Sequence, residues 1–84
     1  MTPAFVEFLG TGLLVSAFAF GSPILVVAAL AAAIGFGGRI SGGHFNPAVT
    51  AFAWMSGRMS QTKALMYMGA QIAAGLAVAL LRSM

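Results

Sequence analysis

The chain has 84 residues, of which 61% are hydrophobic and 6% charged, and its mean hydropathy is +1.02. A soluble domain this small buries too little of its surface to hide that much apolar area, and one acid with four basic residues cannot coat it, so lipid is the fitting solvent. The net charge of +3 comes from the scattered Arg39, Arg58, Lys63 and Arg82, which read as flanking charges that set topology, not as a nucleic-acid surface.

The first apolar segment spans residues 3–20. Thr2-Pro3 introduces it, a cap followed by proline at the first helical position. At 1.5 Å per residue it reaches roughly 27 Å, close to the ~30 Å hydrocarbon core. No Lys or Arg precedes this run and Glu7 interrupts it, so a cleavable signal peptide is not expected. Gly21-Ser22-Pro23 makes a tight turn, and a second segment covers residues 23–38.

Residues 39–46 are too polar and too glycine-rich to continue a lipid-facing helix. Asn46-Pro47 restarts one over residues 47–56, with Gly57 as its stop. About ten residues give roughly 15 Å, half a bilayer. A half-length apolar helix between spanning helices indicates a re-entrant segment, entered by an extended stretch from Ser41 to Phe45 and returning to the side it came from. Its N-terminus at Asn46 is then expected near the midplane, where free N–H groups and the positive helix end face a wet cavity. The last segment covers residues 60–82.

Small residues recur every fourth position, as in Gly12 and Ser16, Ala28 and Ala32, and Gly69, Ala73 and Ala77, and predict tightly packed helix interfaces. The expected fold class is all-α membrane protein, with three transmembrane helices and one re-entrant half-helix. Arg39, Arg58 and Lys63 fall on the side of the N-terminus and Arg82 on the other. The positive-inside rule therefore expects a cytoplasmic N-terminus, in a plasma (inner) membrane.

Ile40-Ser41-Gly42-Gly43-His44-Phe45-Asn46-Pro47-Ala48-Val49-Thr50 closely resembles the first signature loop of the major intrinsic protein family, the aquaporins and glycerol facilitators. Glu7-Phe8-Leu9-Gly10-Thr11 resembles the acidic start of that family's first helix, and Tyr67 through Gln71 to Gly75 its third. The resemblance covers residues 1–84 as a single half-repeat, the first of the family's two inverted ones. It implies that Asn46, in the motif Asn46-Pro47-Ala48, donates its side-chain amide to a permeating oxygen. It also implies that the backbone carbonyls of Gly42, Gly43, His44 and Phe45 form a ladder of acceptors, and that Glu7 braces the loop. The position that is often a bulky aromatic in water-selective members falls near Val26, which implies a wider constriction. The second motif and the filter arginine of the family's other half have no counterpart here.

One copy is therefore expected to need a second half, from an inverted copy or another polypeptide, unless the chain is a fragment; the charge placement counts against inverted self-pairing. The expected partners are the bilayer, water or a small neutral solute, and an oligomeric second half, with no nucleic acid. The lone His44 and the single carboxylate offer no metal set, and the chain lacks cysteine, a nucleophile–base pair and a phosphate loop, so neither an enzyme nor a cofactor is expected. Trp54 and Tyr67 are expected near an interface or packing the bundle. The first functional expectation is a passive channel. A small proton-coupled transporter titrating Glu7, or a non-conducting fragment, is the alternative.

Overall fold

Four helices form in the computed structural model, which describes residues 1–84: α1 (Pro3–Phe20), α2 (Pro23–Ser41), α3 (Pro47–Met55) and α4 (Gln61–Ser83). Their starts follow from local chemistry. Thr2 Oγ1 accepts from the Phe5 N–H at 3.2 Å, Asn46 Oδ1 from Ala48 at 2.8 Å and Ser60 Oγ from Lys63 at 3.2 Å. Proline opens α1, α2 and α3, where its missing N–H leaves no orphan donor. Gly57, at φ +79°, closes α3 in a Schellman motif: its N–H donates to Trp54 O at 3.1 Å and that of Arg58 to Ala53 O at 2.8 Å.

Two expectations about the connection after α2 are corrected. The helix does not end at residue 38 but continues to Ser41. The Ser41 hydroxyl lies 3.4 Å from Gly37 O and 2.7 Å from Glu7 Oε2, so this polar residue is satisfied within a helix. Nor is the following segment extended. Gly42, Gly43 and Phe45 have φ of +90°, +67° and +53°, which curls successive N–H groups toward one side of the loop.

α1 packs against both α2 and α4, and α3 packs on α4. α1, α2 and α4 are each long and apolar enough to cross a membrane, and the longest dimension of the chain, 37 Å, exceeds the ~30 Å hydrocarbon core. With 9 residues, α3 reaches only about half that thickness. Only 16 of 84 residues are buried, while Phe18, Ile24, Leu80 and many other large apolar side chains lie exposed. In water this distribution would be ruinous; in lipid it needs no cover.

The buried stripes are Val6, Glu7, Gly10 and Thr11 on α1, Ala29, Ala33 and Gly37 on α2, and Ala64, Tyr67, Gln71, Ala74 and Val78 on α4. The four-residue rows singled out in the sequence are not these. Ala28, Ala32, Gly69 and Ala73 are exposed, and a methyl added at Gly12 or Gly69 would meet nothing within 4 Å. Small residues repeat on both the inner and outer faces, so spacing alone does not choose between them. The tight internal approaches are Gly10 against the Phe45 ring and Gly37 against Val6.

Candidate functional site

Glu7 sits one turn into α1 with none of its surface exposed. A lone carboxylate there needs donors, and four converge on it. Ser41 Oγ donates to Oε2 at 2.7 Å and the His44 N–H to the same oxygen at 3.1 Å. The Phe45 N–H and Gln71 Nε2 each donate to Oε1 at 2.7 Å. All four partners are neutral, and together they complement an acceptor-only group. The Gly43 N–H adds a bond to Ser41 Oγ at 3.2 Å. The turn of the backbone thus makes a nest, the concavity that elsewhere holds bound anions, and here it closes on the chain's own carboxylate.

A second tier fixes the first. Gln71 Nε2 also donates to Thr50 Oγ1 at 2.9 Å, and His44 Nδ1 lies 2.8 Å from the same oxygen. The direction of the His44–Thr50 bond follows the imidazole tautomer, and Gln71 Oε1 is buried without a partner. The Tyr67 hydroxyl donates to Ser41 O at 2.6 Å, and its ring meets His44 edge-on at 5.2 Å between centroids. Tyr67 is buried and fastens the end of α2 to α4, so it packs the bundle instead of standing at an interface. Tyr67→Phe is expected to cost about 1 kcal/mol, the net value of one hydrogen bond, read as a lowered unfolding midpoint with no change in helix content.

With the N–H groups of residues 43–45 turned inward, the loop's carbonyls remain. No hydrogen bond within the chain ends on the carbonyl oxygens of Gly42, Gly43, His44 or Phe45. Asn46 is exposed. Its Oδ1 is committed to the Ala48 N–H, so its NH₂ is the free end of the side chain. Pro47 begins α3 and Ala48 follows exposed. Gln71, about halfway along α4, holds Thr50 in the first turns of α3, so the N-terminus of α3 lies near the mid-length of the bundle. Val26 is half-buried in the first turn of α2 and lines a separate cavity with Phe18, Gly21, Ser22 and Pro23. The structure does not bring it to the loop.

Glu7, the loop and Asn46 are thus one unit. Sequence reasoning passed over the roles of Ser41, Thr50 and Gln71. The available signal was Gln71 itself, an amide in the apolar middle of α4, for which a partner is the rule once buried. No cluster of three or more His, Cys, Asp or Glu side chains occurs.

Comparison with known proteins gives this arrangement relatives. The sequence profile of the major intrinsic protein family matches residues 5–84. The chain is 41% identical to aquaporin Z of Photorhabdus laumondii, covering 90% of this chain and 30% of that one. It is also 41% identical to aquaporin Z of Flavobacterium johnsoniae, covering 71% of this chain and 96% of that one. To aquaporin TIP1-2 of Zea mays it is 47% identical, over 63% of this chain and 21% of the other. No solved structure matches significantly. The chain thus spans less than a third of the Photorhabdus protein and nearly all of the Flavobacterium one. The profile match, the three apolar helices and the short helix that opens at Asn46 agree, and this all-α integral membrane chain belongs to the major intrinsic protein family.

Proposed function

We propose that the chain supplies one half of a passive transmembrane path for water or a small uncharged solute, completed by a second half from an inverted copy or another polypeptide. The observation that carries this reading is the row of unclaimed carbonyls at Gly42, Gly43, His44 and Phe45, ending at the free amide of Asn46. Acceptors followed by a donor replace the hydrogen bonds a small neutral molecule gives up on leaving water. The α3 N-terminus at Asn46-Pro47-Ala48 adds a positive helix end that disfavours cations. The names of the relatives, aquaporins of two bacteria and a plant, support the same reading.

In this reading α3 and its loop are re-entrant and Glu7 is their brace. Val26, small for its position, leaves a wide constriction. The N-terminus faces the cytoplasm across a plasma (inner) membrane, since Arg39, Arg58 and Lys63 lie toward its end of the bundle. A transporter titrating Glu7 is disfavoured, because four internal donors commit both carboxylate oxygens to holding the loop in place. The path itself calls for no chemistry, cofactor or metal.

Reconstitution from detergent inserts both orientations, so an inverted partner is present whatever the cellular topology. Vesicles carrying the chain are expected to shrink osmotically faster than empty vesicles, with no dependence on a pH gradient. Asn46→Asp keeps the capping oxygen and loses the amide donor. It is expected to lower water flux on the order of tenfold, the equivalent of one hydrogen bond at the upper end of its net value. Shrinkage no faster than in empty vesicles, by folded protein, sinks a path built from this chain alone. Solute flux that follows a pH gradient and vanishes in Glu7→Gln establishes the transporter instead.

A further inference from the structure

At the end of the bundle where α3 finishes and α4 begins lies a cavity of about 380 Å³. Its polar lining comes from Ser41, His44, Arg58, Lys63 and Tyr67. Both cations stand over aromatic rings: the Arg58 guanidinium is 5.2 Å from the Phe52 centroid and Lys63 Nζ 5.6 Å from that of Tyr67. Such contacts restrain long basic side chains without neutralising them. No side-chain carboxylate pairs with either, although Arg58 also sits just past the C-terminus of α3, the end of a helix that favours a cation. Glu7 is the only acid, and its two oxygens are fully committed to the loop and Gln71.

The field is strengthened by placement. Lys63 lies in the first turn of α4, where the helix dipole is positive and a cation is normally disfavoured. A lysine in that position, beside an arginine and over a polar cavity, gains from an anion in front of it. The guanidinium fork matches a phosphate group in two-point contact, the ammonium adds a point charge, and the His44 ring lies on the same wall. The cavity also opens at a helix-end level, the depth at which lipid headgroups sit beside a spanning bundle.

We propose that this cavity binds a phosphate-bearing anion, held by Arg58 and Lys63. The site adjoins the proposed path, since Gly42 and His44 line this cavity as well, but its test reads binding, which does not require that the loop conduct. Two sources share the chemistry, and two arms separate them. In the first, inorganic phosphate is titrated into the detergent-solubilised chain by calorimetry, with chloride at equal ionic strength as reference. In the second, retained phosphatidylglycerol is counted against phosphatidylcholine by native mass spectrometry after purification from vesicles of both lipids. Arg58→Gln and Lys63→Gln should each weaken binding about tenfold, whereas Arg82→Gln, a cation at the other end of α4, should leave it unchanged. All three side chains are exposed, and circular dichroism checks that the variants keep their helices.

Phosphate binding that both substitutions weaken identifies a site for small anions. Selective phosphatidylglycerol retention with the same sensitivity identifies the lipid headgroup as occupant. The proposal is overturned if neither probe binds beyond its reference, or if Arg82→Gln weakens binding as much as Arg58→Gln and Lys63→Gln do.

Discussion

Glu7→Ala is expected to destabilise the chain by about 2–4 kcal/mol, more than any other polar substitution in it. Ser41 Oγ retains Gly37 O as an acceptor and Gln71 Nε2 retains Thr50. The His44 and Phe45 N–H groups have no other acceptor. Each buried orphan costs about 1–3 kcal/mol, and the relief of desolvating a carboxylate offsets part of the sum. Glu7→Gln recovers little, since its amide offers one acceptor oxygen and turns its NH₂ toward two donors. Denaturation in mixed micelles reads the effect as a shifted midpoint. A Glu7→Ala midpoint equivalent to less than about 1 kcal/mol of loss would show that the loop holds its shape without the brace.

Phe45→Ala is expected to cost about 3–5 kcal/mol. The ring is 1% exposed and packs with Val6, Ala33 and Leu14, and it covers Gly10, where a methyl group would overlap it. The ring and the glycine therefore occupy one volume. Gly10→Ala should be destabilising on its own, by about 1–3 kcal/mol from overpacking, yet neutral or helpful in the Phe45→Ala background, where the methyl enters the cavity. A double-mutant cycle measures this directly. Additive effects, without a coupling energy of at least about 1 kcal/mol, would mean that the two residues do not meet.

Much of the architecture is legible because its signals are local. Thr2, Asn46 and Ser60 cap helices from positions their own chemistry favours, and prolines follow the first two. The brevity of α3 is legible because Asn46-Pro47 and Gly57 bracket it within a few residues. The Asn46-Pro47-Ala48 run carries the family for the same reason. What stayed hidden is non-local or ambiguous. The bonds from Glu7 to Ser41, Phe45 and Gln71 span 34, 38 and 64 positions, and no periodicity links residues that far apart. Phe45 takes a left-handed backbone that its side chain does not advertise, since bulky residues rarely go there; the bond of its N–H to Glu7 and the burial of its ring against Gly10 and Val6 hold it there. The small-residue rows misdirected because glycine and alanine recur on both faces. Ser41 extended α2 past its expected end because its partner lies on another helix.

The same network bears on how the chain is made. α1 is synthesised first, so its carboxylate enters an apolar environment before any of its partners exists, which is costly for an isolated acid in a membrane. Ser41 and the loop arrive next, and Gln71 only after most of α4 has been synthesised. The full set of four donors around Glu7 can therefore close only after residue 71 has been made. The carboxylate that shapes the site thus ties residues far apart in the order of synthesis.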